Sequence, residues 1–159
     1  SPLRNFHGRE ISRNTKISQP SVINHLKALL KNGLILRERK GVFPSFIANR
    51  DNSLFRLYKK IDILLNLEET GLIDYINDSC MPSAIVLFGS AARGEDVEDS
   101  DIDLFVGSPE IRLEIKKYEK LLKREISLFF EEDFSRLSKE LKNNMVNGVI
   151  LKGYLKVFK

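Results

Sequence analysis

Apolar residues recur at helical spacing in the first third of the chain. They form one stripe of a predicted helix over residues 21–32. The stripe consists of Val22, Leu26, Leu29 and Leu30. Ser18 is suited to cap the start of this helix, and Gly33 is suited to end it. A shorter polar helix is predicted over residues 9–15, so the two segments indicate a helix-turn-helix.

Two apolar-rich segments follow, at residues 34–40 and 42–47, with basic residues and Gly41 between them. This pattern predicts a β-hairpin. Its tip would present the side chains of Arg37, Arg39 and Lys40. A short helix pair followed by a basic hairpin is the arrangement with which winged domains contact DNA.

The remaining chain alternates between helical and strand patterns. Apolar positions at helical spacing predict two helices between residues 54 and 79. Further helices are predicted over residues 111–123 and 134–147. A strand is predicted over residues 125–130, and a last strand begins at Val149 and runs to Phe158.

Residues 84–88 form a continuous apolar run between Pro82 and Gly89, which is typical of a strand buried on both faces. A second strand begins at Asp101 and Asp103, which alternate with apolar residues. Because successive side chains on a strand point to opposite faces, both carboxylates share one face. Two adjacent carboxylates repel each other unless a cation lies between them. Mg²⁺ is a hard, oxygen-preferring ion that also binds phosphates, and it suits this pair.

A Gly-Ser pair follows the first of these two strands and offers candidate phosphate contacts. Gly89 would let a triphosphate approach the backbone, and the Ser90 hydroxyl with neighbouring amides would hold phosphate oxygens. Arg93 is close enough in sequence to add a charge-assisted hydrogen bond. The segment therefore indicates nucleotide chemistry.

Charge is distributed unevenly along the 159 residues. Residues 1–60 contain 13 Lys and Arg against 3 Asp and Glu, whereas residues 61–159 contain 13 against 19. The basic part indicates a polyanionic partner, because cations that meet phosphates release counterions. An apolar content of 42% excludes a disordered chain, and no apolar run approaches the roughly 20 residues of a membrane helix. The single Cys80 has no internal disulfide partner, so we expect a cytoplasmic protein with no membrane segment.

The stretch SQPSVINHLKALLKNGLILRERKG resembles the winged helix-turn-helix domains of ArsR-like and MarR-like proteins. The resemblance covers about residues 6–50 and implies binding to DNA, with the second helix in the major groove. A winged helix that serves only protein contacts is the alternative. The expected DNA-binding residues are Gln19, Ser21, Asn24, His25, Lys27, Lys31, Arg37, Arg39 and Lys40.

The stretch LFGSAARGEDVEDSDIDLFV resembles the signature of the DNA polymerase β-like nucleotidyltransferases. Ten residues separate Ser90 from Asp101, a spacing similar to that of the minimal nucleotidyltransferases of HEPN toxin–antitoxin pairs. The resemblance implies a mixed sheet flanked by helices, two Mg²⁺ ions, and ATP or another NTP as donor. It assigns Gly89 and Ser90 to the triphosphate, and Asp101 and Asp103 to the metal ions and catalysis.

The third carboxylate of that family, on a later strand, has no Asp counterpart here. Aligned apolar positions put Ser127 at its place, and Glu125 lies two residues earlier on the same predicted face. Either Glu125 acts as the third catalytic carboxylate, or the general base is lost and the domain binds nucleotide without turnover. The sequence leaves both alternatives open.

The sequence thus predicts an α+β protein with a winged helix-turn-helix over residues 1–50, a helical linker over 51–80 and a nucleotidyltransferase domain over 81–159. The expected activity is transfer of AMP, with another nucleoside monophosphate as the alternative, to a hydroxyl of a macromolecule. A HEPN-type toxin partner is a candidate acceptor. The alternative is a non-enzymatic, DNA-binding transcriptional regulator whose degenerate nucleotidyltransferase domain senses nucleotide. A homodimer is a further candidate for the oligomeric state of the chain.

Overall fold

The computed structural model describes residues 1–38 and 43–157. The chain divides into two compact units, Ser1–Leu57 and Tyr58–Lys159. Each unit combines helices with a β-sheet, which confirms the predicted α+β class. Arg39 and Lys40, two of the expected DNA-binding residues, lie outside the described residues. Across the described ranges, no helix has both the length and the apolar character required to cross a bilayer.

Two short helices of the first unit form the predicted helix-turn-helix, α1 (Gly8–Thr15) and α2 (Gln19–Lys31). The Ser18 side chain accepts a hydrogen bond from the backbone N–H of Ser21, so it caps α2 as predicted. Gly33 follows the helix at a φ of +67°, a left-handed conformation that glycine adopts without steric cost.

A three-stranded antiparallel sheet completes the first unit. Its strands are β1 (Phe6–His7), β2 (Ile35–Glu38) and β3 (Ser45–Ala48), in the order β1-β3-β2. The strands β2 and β3 are those of the predicted hairpin. The sequence does not predict β1, because two residues are too few to show a periodic pattern. This strand pairs Phe6 with Phe46 at the far side of the hairpin.

The core of the first unit is small. Val22, Leu26 and Leu34 are its buried apolar residues among those described. Leu29, which the helical stripe predicts to be buried, is instead 37% exposed, and Ile23 is 46% exposed. The expectation for Leu29 is wrong because this side chain lines an open recess of about 680 Å³ between α2, α1 and the sheet, and does not pack in the core.

The helices α3 (Ser53–Glu69) and α4 (Leu72–Cys80) correspond to those predicted between residues 54 and 79. Their buried side chains belong to the core of the second unit. These side chains are Ile63, Leu67, Leu72, Ile73 and Ile76. From Tyr58 onward, the segment predicted as a linker is therefore structurally part of that unit.

The second unit is built on a four-stranded mixed sheet. Its strands are β4 (Ala84–Phe88), β5 (Ile102–Val106), β6 (Ile126–Phe130) and β7 (Val149–Gly153), in the order β6-β5-β4-β7. The pair β5–β6 is parallel, and the pairs β4–β5 and β4–β7 are antiparallel. The mixed sheet that the resemblance implies is thus present. The last strand ends at Gly153, earlier than predicted, and Phe158 lies outside the described residues.

Both faces of this sheet are covered, because residues of β4 and β5 alternate between two clusters. Ile102 and Leu104 pack with α3 and α4 in the larger cluster. Phe105 packs on the opposite face with Phe134 and Met145. Asp103 belongs to this second face by the alternation along β5. The strand pattern therefore places the acidic pair away from the larger core.

The helices around the sheet are shorter than predicted. The helix over 111–123 is reduced to α6 (Lys116–Leu122), because Leu113 and Ile115 pack against the core from a non-helical segment. Leu121, an apolar residue of this helix, is 64% exposed. The helix over 134–147 is divided into a 3₁₀ turn at Phe134–Arg136 and α7 (Lys139–Val146). The five-residue α5 (Gly89–Arg93) follows β4 directly.

Candidate active site and nucleic-acid interface

Strand pairing brings the Gly-Ser turn beside the second carboxylate of the acidic pair. Phe88, the last residue of β4, pairs with Asp103 on β5. The chain leaves β4 at Gly89, so the turn begins next to the Asp103 side chain. The two motifs, which are separated by ten residues in the sequence, therefore form one site.

Gly89 fits only as glycine. Its φ is +71°, and a Cβ atom added to it would lie 2.2 Å from Oδ2 of Asp103. A contact this short is well inside van der Waals distance, so any side chain would displace the carboxylate. The sequence predicts that the backbone must be accessible at this position, and the structure shows that the Asp103 carboxylate occupies the space.

Asp101 precedes β5 and is exposed, whereas Asp103 is half-buried. Oδ2 of Asp101 accepts a hydrogen bond of 3.2 Å from the hydroxyl of Ser127. Ser127 is also in register with Asp103 on the parallel strand β6. The position where the family would carry its third carboxylate thus lies beside the acidic pair, but it carries a hydroxyl.

Burial raises the pKa of the Asp103 carboxyl above its ordinary value, and the negative charge of Asp101 raises it further. The guanidinium of Arg124 opposes both effects. Among the described residues, no salt bridge joins either carboxylate to a Lys or Arg side chain. The pair therefore carries negative charge that Arg124 offsets only in part, without a direct ion pair to either carboxylate.

This donor set fits a hard divalent cation. Mg²⁺ is usually held by one or two carboxylates, and its remaining positions are filled by water and substrate phosphates. In the described ranges, no group of three or more His, Cys, Asp or Glu side chains could hold a metal ion. Asp101 and Asp103 would therefore act as a pair, with phosphate oxygens as further ligands.

Glu125 lies immediately before β6 and lines a recess of about 580 Å³ that also includes Asp101 and Arg124. It does not form a three-carboxylate group with Asp101 and Asp103 in this structure. Its backbone oxygen accepts a hydrogen bond from the N–H of Ile102, which ties the starts of the two strands together. A catalytic function for Glu125 stays a prediction.

The two other expected phosphate contacts flank the turn. Ser90 is half-buried in the first turn of α5, where its backbone oxygen accepts a hydrogen bond from the N–H of Glu95. Arg93 is exposed, and its Nε lies 2.8 Å from a carboxylate oxygen of Glu95. Arg93 would have to leave this exposed ion pair to reach a phosphate. Such a pair contributes little stability, so the exchange would cost little.

Three charged residues close to the site, Lys59, Asp96 and Arg124, are not among the residues predicted from the sequence. Asp96 lies in an acidic segment with Glu98 and Asp99, but it is only 3% exposed. Asp96 accepts hydrogen bonds from Lys59 and Arg124. Nothing in the local sequence separates Asp96 from its exposed neighbours Glu98 and Asp99, because its partners lie far along the chain.

The expected DNA-binding residues lie on more than one side of α2. Gln19, Lys27 and Arg37 line a groove of about 430 Å³ between α2 and the hairpin, together with Arg9 and the exposed ring of Phe43. Arg9 lies over that ring in a cation–π contact. The structure therefore gathers three of the expected residues around one cationic, partly apolar groove.

The other expected residues on α2 are separated from this groove. His25 lines a different recess of about 680 Å³, on the side of the helix that carries Leu29. Asn24 and Lys31 are exposed, and Ser21 is half-buried in the first turn of the helix. Asn24 and Lys31 are thus accessible on the helix, while His25 belongs to a separate, largely apolar surface.

Comparison with protein families gave two matches. The family model described as "Polymerase beta, Nucleotidyltransferase" matches residues 69–155, more than half of the chain. The model described as "Bacterial regulatory protein, arsR family" matches residues 9–36, which include α1, α2 and the start of β2. No curated protein and no solved structure matches the chain.

Proposed function

Because the chain belongs to the polymerase beta nucleotidyltransferase family, we propose that its second unit transfers AMP from ATP to a hydroxyl group of a macromolecule in the presence of Mg²⁺. The observation that carries this proposal is the contact between the Gly-Ser turn and the acidic pair. A side chain at position 89 would clash with the Asp103 carboxylate. Ser90 follows directly in the first turn of α5, so its backbone lies next to the acidic pair.

Each residue of the site has a distinct part in the proposed reaction. Asp101 and Asp103 would hold divalent cations on one face of β5, and bound Mg²⁺ would supply charge neutralisation at the phosphates and acidification of the attacking hydroxyl. Ser90 and the backbone after Gly89 would orient the triphosphate. Positioning and electrostatics account for most of the catalysis in such transfers.

A HEPN-type partner protein is our candidate acceptor, because the spacing between Ser90 and Asp101 resembles that of the minimal nucleotidyltransferases. The second unit begins at Tyr58 and is small, so a partner would supply part of the acceptor site. The single Cys80 supports a cytoplasmic location for this reaction.

Transfer of label from α-³²P-ATP to a co-purified partner protein tests the proposed activity. Asp101→Asn should abolish labelling, because it removes one of the two carboxylates expected to bind the metal ion. Asp99→Asn is the matched control, since it removes an exposed carboxylate of the same recess and should leave labelling unchanged. Labelling that persists in Asp101→Asn would contradict the proposal.

The first unit carries an arsR-type helix-turn-helix, a DNA-binding module. We propose that Gln19, Lys27 and Arg37 contact DNA from the groove between α2 and the hairpin. Phosphate contacts by Lys27 and Arg37 would make the affinity fall steeply with salt concentration. Binding of fragments from the neighbouring genomic region, measured at several salt concentrations, tests this function.

A second candidate function is a DNA-binding regulator that senses nucleotide without transferring it. The hydroxyl of Ser127 at the third carboxylate position favours this candidate, because a hydroxyl cannot act there as the general base. ATP binding that alters DNA affinity, with no label transferred to any protein or nucleic acid, would support this alternative. Label transfer that depends on Asp101 would exclude it.

A further inference from the structure

One guanidinium joins the acidic pair to a buried carboxylate behind it. Arg124 donates three hydrogen bonds: from Nε to the backbone oxygen of Ser100 at 2.7 Å, from Nη2 to the backbone oxygen of Asp101 at 3.0 Å, and from Nη1 to Oδ2 of Asp96 at 2.7 Å. The side chain of Arg124 is only 12% exposed. Its planar group therefore has a fixed orientation, because the three acceptors lie in different directions.

Asp96 is the anchor of this arrangement. It is 3% exposed, and its Oδ2 also accepts a hydrogen bond of 2.9 Å from Lys59. Its Oδ1 is buried and makes no hydrogen bond among the described residues. A buried carboxylate requires cationic partners, so Asp96 holds the Arg124 side chain strongly in place.

The direction of the Arg124 bonds matters for the site. The guanidinium binds the backbone oxygens of Ser100 and Asp101, and no salt bridge to the Asp101 carboxylate is formed. The carboxylate therefore keeps its charge available for a cation, while the main chain beneath it is held. Lys123 adopts a φ of +53° just before Arg124, a strained conformation that turns the chain from α6 toward β6.

We propose that Arg124, anchored by Asp96, is a positioning residue that holds Asp101 in the geometry required to bind a divalent cation together with Asp103. This inference deepens the proposed function and rests on it. The Arg124 guanidinium holds the backbone just before β5 through its hydrogen bonds to the oxygens of Ser100 and Asp101. The Asp101 carboxylate is therefore kept in one position. Groups that orient metal ligands from behind typically alter metal affinity by about 10- to 100-fold when they are removed.

Two variants separate positioning from simple stabilisation of the fold. Arg124→Lys keeps the positive charge near Asp96 but cannot form three hydrogen bonds in a planar fork. Lys59→Met removes the other ion pair of Asp96 and leaves the fork on Asp101 in place. Both variants should lower the thermal stability of the full chain, since both weaken the surroundings of a buried carboxylate.

Binding of Mn²⁺ alone to the full chain distinguishes positioning of Asp101 from simple stabilisation of the fold. It is measured by titration calorimetry and by the EPR signal of free Mn²⁺. Arg124→Lys should weaken Mn²⁺ binding by about 10-fold or more, whereas Lys59→Met should leave it within about 2-fold. Equal Mn²⁺ affinity in Arg124→Lys and the wild-type chain, with stability lowered as in Lys59→Met, would overturn the positioning function. If the wild-type chain binds no Mn²⁺, the proposed metal-dependent function fails as well.

Asp96→Asn gives a second test if Arg124→Lys does not fold. It keeps the size of the side chain and removes the charge that anchors the guanidinium, so Mn²⁺ binding should again weaken by about 10-fold. In transfer assays, the loss should appear as a higher Mg²⁺ requirement with little change in the KM for ATP. Wild-type Mn²⁺ affinity in Asp96→Asn would overturn the proposal.

Discussion

Gly89→Ala tests whether the Gly-Ser turn and the acidic pair form one site. The new methyl group would lie 2.2 Å from Oδ2 of Asp103, 3.2 Å from its Cγ and 3.5 Å from its Cβ. Since only the carboxylate is too close, it would rotate away by about 1 Å or more. Leaving a favoured rotamer costs about 0.5–1.5 kcal/mol. The left-handed backbone at Gly89 adds about 1–2 kcal/mol for any residue with a Cβ atom.

Gly71→Ala is a matched control for the backbone effect. Gly71 has the same φ of +71°, and a Cβ atom there would meet nothing within 4 Å. This variant should therefore lose only the backbone contribution of about 1–2 kcal/mol in the free energy of unfolding. In an Asp103→Ala background, Gly89→Ala should cost no more than Gly71→Ala, because the clashing carboxylate is gone.

The effect on function should be larger than the effect on stability. Displacing a reacting group by about 1 Å can reduce a rate by about 100-fold. We expect Gly89→Ala to lose Mn²⁺ binding and label transfer, while Gly71→Ala keeps both and is the more stable of the two variants by about 0.5–1.5 kcal/mol. Urea unfolding and Mn²⁺ titration of the four variants provide the measurements. Wild-type Mn²⁺ affinity in Gly89→Ala, with no stability difference from Gly71→Ala, would refute the reasoning.

Three further predictions concern charge. The raised pKa of Asp103 means that its ionised form costs stability in the folded chain, so Asp103→Asn should stabilise the metal-free chain at neutral pH. This gain in the free energy of unfolding should shrink as the pH falls toward about 3.9, the ordinary pKa of Asp. Urea unfolding at several pH values, in the presence of a metal chelator, measures it. Ser127→Asp puts a carboxylate beside Asp101, so it should lower metal-free stability and tighten Mn²⁺ binding; unchanged Mn²⁺ affinity would place residue 127 away from the cation. Arg37→Ala should weaken DNA binding and reduce the salt dependence of log K by about 0.9, whereas Arg112→Ala, in the second unit, should change neither.

The acidic pair could be predicted from sequence because its signal is local. Asp101 and Asp103 are two residues apart in an extended segment at the start of β5, so their shared face follows from strand geometry alone. The contact between Gly89 and Asp103 is not predicted, because it depends on the antiparallel pairing of β4 with β5, which neither strand pattern specifies. Local periodicity thus predicts the shared face of the two carboxylates, and the strand pairing supplies the glycine beside them.

The Arg124 network could not be predicted in this way. Asp96 meets Lys59 and Arg124 across 37 and 28 residues of chain, and each of the three resembles its exposed neighbours in type. Leu113 shows a related difficulty, because a core position in a non-helical segment also fits a helical pattern. Long-range packing decides these positions, and local periodicity does not report it.

The loop over residues 94–100 is held in its middle as well as at its ends. Asp96 anchors the middle in the protein interior, and β5 begins immediately beyond Asp101. An insertion or deletion here would move either the buried anchor or the first Asp of the pair. Exchange of the exposed Asp99 for another polar residue would move neither.

We expect the amino-acid sequence of this loop to vary among related proteins while its length stays constant. Point changes at its exposed positions would accumulate freely, whereas changes in length would be removed by selection, because they disturb a buried carboxylate and the acidic pair at once. The spacing of ten residues between Ser90 and Asp101 would then be retained even where most of the residues within it have changed. A search for the Gly-Ser and Asp-x-Asp motifs at this spacing should accordingly find distant relatives more readily than alignment of the loop sequence.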